Sequence, residues 1–128
     1  MTTELLMLTY STILFLVIIL AQAGLAIRQN GLMAQAGSRD DLPEPTLLRQ
    51  RMQRLSANFQ ENLVMFAAVV LVASAAGVSN ESVAMGASIF FYTRAIHAVV
   101  YAFGWPMVRP LFYFASLYGI VLIVLELV

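Results

Sequence analysis

Cysteine and lysine are both missing from this chain of 128 residues, and only 11% of its side chains are charged. Without thiols there can be no disulfide, no thiolate nucleophile supplied by the protein, and no zinc or iron–sulfur centre built on cysteine. Any sulfur chemistry must therefore use a substrate's thiol, and no metal is expected. The seven cations are all arginines, and seven acids bring the formal net charge to zero. That balance gives no compositional support to nucleic-acid binding. Soluble domains carry roughly 25% charged and roughly 45–50% apolar residues, whereas this chain is 61% hydrophobic. Its polar groups are too few to cover a water-facing surface.

What is present is long apolar sequence. Leu5 to Ile27 carries only Thr9, Tyr10, Ser11, Thr12 and Gln22 as polar side chains, which is long enough to cross a bilayer. Its flank holds Glu4 rather than a basic segment, and the run exceeds an ordinary signal-peptide core. Three more spans follow over about 55–77, 83–103 and 108–128. Between the first two lies a polar connection with Gly31, Gly37, Pro43 and Pro45, while 78–82 and 104–107 are short turns. Short turns make neighbouring helices antiparallel. With no internal repeat, residues 1–128 read as one all-α membrane domain of four antiparallel transmembrane helices in a left-handed bundle.

The arginines are distributed unevenly. Arg28, Arg39, Arg49, Arg51 and Arg54 sit in or beside the first connection and Arg109 beside the third, which predicts that both connections are cytoplasmic. Glu4, Glu81 and Glu126 mark the other face, so both termini are expected away from the cytoplasm. The lack of lysine and cysteine, the short termini and the absence of a basic C-terminal tail point to a bacterial inner membrane.

Charge at depth is the functional signal. At about 1.5 Å per residue, Glu61 lies roughly 24 Å in from the outer end of the second helix. On the third helix, Arg94 and His97 lie roughly 17 and 21 Å in. A mid-membrane arginine costs about 2.5–3.5 kcal/mol on insertion scales, so Arg94 is expected inside the bundle, with Glu61 as its partner. Arg51, Arg54, Asn58 and Glu61 recur at spacings of three, four and three, which makes one helical stripe. Arg94, His97 and Tyr101 make another. Together they predict a polar cleft opening at the arginine-rich face, with Arg109 on its rim. Arg39 and Arg49 read as interfacial anchors, and Tyr10, Tyr92, Tyr113 and Tyr118 as belt or packing residues. The methionines and phenylalanines read as lipid-facing or packing groups.

The segment Arg51-Met52-Gln53-Arg54-Leu55-Ser56-Ala57-Asn58-Phe59-Gln60-Glu61-Asn62 resembles the helix-two signature of the MAPEG family, membrane-associated proteins in eicosanoid and glutathione metabolism. Arg94-Ala95-Ile96-His97-Ala98-Val99-Val100-Tyr101 resembles its helix-three pattern, and Arg109 falls where the prostaglandin synthase branch has a catalytic arginine. Two positions depart from that branch: Ala57 replaces an arginine and Pro110 replaces a serine.

The resemblance implies a homotrimer that binds glutathione between adjacent subunits near the cytoplasmic face. It carries the tripeptide-binding role onto Arg54, Asn58, Glu61, Arg94, His97 and Tyr101, with Arg28 contributed by the neighbouring first helix, and places Arg109 near the sulfur. The implied activity is that of a glutathione-dependent transferase or peroxidase acting on a lipophilic small molecule or lipid. Such chemistry suits the residues: arginines match the peptide's carboxylates and Glu61 its ammonium, while a cation beside the sulfur favours the reactive thiolate. The alternative is a non-enzymatic lipid-binding or scaffold member, in which the same stripes are structural. A proton-coupled exporter fits less well, because that class resembles a pattern with a glutamate in helix one, and here no acid follows Glu4 in that helix.

Overall fold

The computed structural model describes residues 1–128 other than 106 and 108. Its elements are α1 (Thr3–Asn30), α2 (Leu32–Ala36), α3 (Leu47–Ala75), α4 (Glu81–Phe103) and α5 (Arg109–Leu127). All except α2 are long and apolar enough to cross a membrane, and the chain is an integral multi-pass membrane protein. Val108, the predicted start of the fourth span, and position 106 of the predicted turn lie outside the described residues.

The starts of α1, α3 and α4 each carry a local reason. Thr2 and Thr46 accept from the amides of Leu5 and Arg49 at 3.4 and 3.3 Å, and Asn80 accepts from that of Val83 at 2.9 Å. These are N-caps, which satisfy amides that the first turn leaves without partners. Gly31, at φ +87°, separates α1 from α2, and Gly104, at φ +74°, ends α4 in the left-handed conformation that glycine alone adopts freely. The expected polar connection thus holds a short helix. Moreover, α3 begins eight residues before the predicted Leu55. Hydropathy marks only the part of a helix that lies in hydrocarbon, and Arg49 to Arg54 are mostly strong helix formers that continue it past the lipid behind the Thr46 cap.

Two apolar clusters hold the bundle. One gathers Met7, Phe66, Val70, Ala73, Val83, Ala87, Phe90, Ile120 and Ile123; the other, nearer the arginines, gathers Ile18, Met52, Leu55, Phe59 and Ala98. Phe66 and Phe90 stack with centroids 4.0 Å apart. Asn62 lies between Phe59 and Phe66 along α3, and Arg94 between Phe90 and Ala98 along α4, so a buried polar layer divides the two clusters. Leu16, Leu20, Val64, Leu71, Phe114 and Leu125 are exposed instead. Apolar residues outside and charge inside is the arrangement a lipid solvent requires.

The tightest helix pair is α4 with α5. A Cβ added to Gly86 would meet the Gly119 carbonyl oxygen, and one added to Gly119 would meet that of Gly86. Paired small residues let two helices approach until their backbones touch, gaining packing that lipid cannot supply. At the acid-marked end, Asn80 donates to Glu126 at 3.1 Å, tying the α3–α4 turn to the end of α5.

Candidate functional site

At the arginine-rich end, a cleft of about 600 Å³ is lined by Arg54, Asn58, His97, Tyr101, Arg109, Pro110 and Tyr113. Five of the eight residues singled out in the sequence meet there. Arg54 and Asn58 come from α3, His97 and Tyr101 from α4, and Arg109 from the first turn of α5. That last residue lies against the end of α4, over Tyr101.

Tyr101 organises the cations. Its hydroxyl accepts from Arg54 Nε at 2.9 Å, and the Arg109 guanidinium lies over its ring, 5.1 Å from the centroid. One aromatic side chain thus holds two arginines by two interactions, a hydrogen bond and a cation–π contact. Arg51 packs on Gly104, where an added Cβ would lie 2.7 Å from the guanidinium carbon. The bare backbone at the end of α4 is what makes room for it.

His97 is 2% exposed and Arg94 fully buried. The His97 ring stands 5.7 Å from that of Tyr101 and 6.5 Å from that of Tyr113. Arg94 lies 5.0 Å over the Phe59 ring, and none of its three guanidinium nitrogens has a hydrogen-bond partner. His97 Nδ1, Asn58 Oδ1 and Asn62 Nδ2 are also buried without partners. Burying such groups is costly unless something bonds them. They form a polar floor beside the cleft with unused capacity for water or a polar ligand.

The expected ion pair between Glu61 and Arg94 is not formed within the chain. Glu61 is exposed, and Arg94 makes no hydrogen bond to it. The reason is helical phase: the interior stripe of α3 runs through Met52, Leu55, Phe59, Asn62 and Phe66, whereas Glu61 lies on a different side and is exposed. Asn62, one residue along from Glu61, takes the interior place. Arg28, on α1, is likewise exposed and outside the cleft. Glu61 and Arg94 are not among the cleft's lining residues either.

Tyr113, read as a belt or packing residue, also lines the cleft; it follows Arg109 by four positions, one helical turn along the same face, a spacing that marks it as a neighbour of that arginine. Arg49, read as an anchor, is only 8% exposed. Asn62 was visible in the sequence only as part of a motif, and its role as the buried polar residue of α3 follows from the phase of its phenylalanine neighbours.

A sequence model of the MAPEG family matches residues 7–128. No curated protein matches the chain, and no solved structure does.

Proposed function

The chain belongs to the MAPEG family, and from that membership we propose that it is a membrane glutathione-dependent transferase or peroxidase. The observation that carries the reading is the convergence of Arg54, Asn58, His97, Tyr101 and Arg109 on one cleft, whose volume falls in the usual range of small-molecule sites. Residues 1–128 act as one domain. Glu61 is exposed outside the cleft and Arg54 lines it while still exposed, which suits a homotrimer in which the cleft is completed by a neighbouring copy. That copy supplies Arg28 from its first helix.

Each role follows from charge and position. Arg54, held by Tyr101, takes a carboxylate of glutathione through a charge-assisted bond. Glu61 takes the ammonium group, Asn58 and His97 offer polar contacts to the peptide, and Arg94, buried beside the cleft, keeps its unbonded donors for water or the peptide behind them. Arg109 stabilises the sulfur as thiolate, the proton leaving to solvent. The thiolate then attacks an electrophilic carbon arriving from the bilayer; the C–S bond forms and the leaving group departs with its electron pair. With a hydroperoxide, the thiolate attacks oxygen, the O–O bond breaks, and the departing alkoxide takes a proton to become an alcohol. A second glutathione reduces the resulting sulfenic acid, giving disulfide and water. The arginine-rich end faces the cytoplasm, where glutathione is available, and the termini face away, in a bacterial inner membrane.

Calorimetric titration of the purified protein with glutathione tests this reading. Saturable binding is expected, weakened at least about tenfold by Arg54→Ala or Glu61→Ala, since a hydrogen bond to a charged group contributes about 1.5–3 kcal/mol. No binding to the parent protein would leave the chain as a lipid-binding or scaffold member of its family.

A further inference from the structure

A second cavity, of about 640 Å³, opens at the arginine-rich end among the last turns of α1, α2 and the first turns of α3. None of the residues assigned to glutathione lines it. Its polar side chains are Gln22, Gln35, Gln53, Arg39 and Arg49, and among the described residues no acid lines it.

Arg49 is the centre of this corner. It is 8% exposed, which is not how an interfacial anchor sits, since an anchor extends its charge into water or headgroups. One terminal nitrogen donates to Gln29 Oε1 at 2.5 Å, and Gln29 in turn donates to the Glu44 carbonyl at 2.8 Å. That chain of bonds fixes the arginine against the connection. Its Nε is buried without a partner. Arg39, exposed, adopts φ +68°, an uncommon conformation for a bulky side chain, and its own Nε is occupied by the Gln35 carbonyl at 2.8 Å.

The rest of the wall is apolar. Ile19, Ile27 and Leu32 line the cavity and are also 40, 39 and 64% exposed on the outside, so the wall continues into the lipid-facing surface. A desolvated cation with a free donor calls for an anion, and an apolar wall that runs into the bilayer calls for an acyl chain. We propose that this corner binds an anionic glycerophospholipid, its phosphate against Arg49 and Arg39 and its chain along Ile19 and Ile27. Free phosphate would satisfy the arginines and leave the apolar wall uncovered. A zwitterionic lipid would bring its own cation beside two arginines, with no carboxylate in the lining to receive it.

The test is a fluorescence titration of the full-length protein in neutral detergent with labelled phosphatidylglycerol, labelled phosphatidylcholine and inorganic phosphate as a competitor. Phosphatidylglycerol should bind saturably and at least tenfold tighter than phosphatidylcholine, and millimolar inorganic phosphate should not displace it. Arg49→Gln should weaken it roughly tenfold, the scale of one charge-assisted hydrogen bond. Arg39→Gln, which leaves the bond between Arg49 and Gln29 in place, should weaken it several-fold, and Ala23→Trp, which fills the cavity, should abolish it. If Arg49→Gln fails to fold, the other two variants decide. Equal affinity for the two lipids, displacement by inorganic phosphate, or undiminished binding in the folded variants would each overturn the proposal.

Discussion

On the proposed function, replacing Arg109 with alanine should slow glutathione transfer by roughly a hundredfold or more while leaving tripeptide affinity within a few fold. Arg109 stands over the Tyr101 ring at the cleft's edge, whereas Arg54 is bonded to the same residue's hydroxyl. Arg54 thus meets the hydroxyl end of Tyr101 and Arg109 its ring, and among the described residues only Arg54 of the two is bonded to a side-chain oxygen. Removing a single group that meets developing negative charge costs about 2.7–4 kcal/mol in the barrier, which is a hundredfold or more in rate. Steady-state kinetics with a generic aromatic electrophile, beside calorimetry on the same preparation, separates the two effects. Full activity in Arg109→Ala would remove the thiol-stabilising role and turn attention to Tyr113, which shares the cleft.

Gly86→Val should destabilise the protein more than any cleft substitution. A Cβ at that position would lie 2.5 Å from the Gly119 carbonyl oxygen and 3.0 Å from Ile123 Cγ1, and a backbone oxygen cannot rotate away as a side chain can. Overpacking costs about 1–3 kcal/mol even where side chains yield, so here α4 and α5 must separate. A fall of at least about 5 °C in the thermal midpoint in detergent is expected, with loss of folded protein on size exclusion. Gly24→Ala is the control, because nothing lies within 4 Å of a Cβ there and alanine favours the helix by about 1 kcal/mol. An unchanged midpoint in Gly86→Val would mean that the two helices do not meet at this point.

Much of this was legible in the sequence because a bilayer imposes few solutions. Four apolar runs of spanning length, two of their three connections short, could only be antiparallel helices, and the spans agree with α1, α4 and α5 to within about three residues. The start of α3 was not legible from hydropathy, since Arg49 to Arg54 are polar and helical at once. Clustering of polar residues by stripe found the cleft, yet it could not say which edge of each stripe faced inward. The pairing of Glu61 with Arg94 failed for that reason: depth along a helix fixes level, and only the phase of Phe59, Asn62 and Phe66 fixes direction. Arg49 was misread because charge near a membrane surface looks the same in sequence whether it is exposed or enclosed. Gly86 and Gly119 lie 33 residues apart, and nothing local marks them as partners.

The most direct test of thiol activation in the cleft is the ultraviolet difference spectrum of the protein saturated with glutathione at neutral pH. A cation beside the sulfur stabilises the charged form, so the bound cosubstrate should show thiolate absorbance well above that of free glutathione at the same pH, and acid should abolish it. Saturation with glutathione and no thiolate absorbance would contradict the account, because the tripeptide would then be held in a cleft that does not activate it.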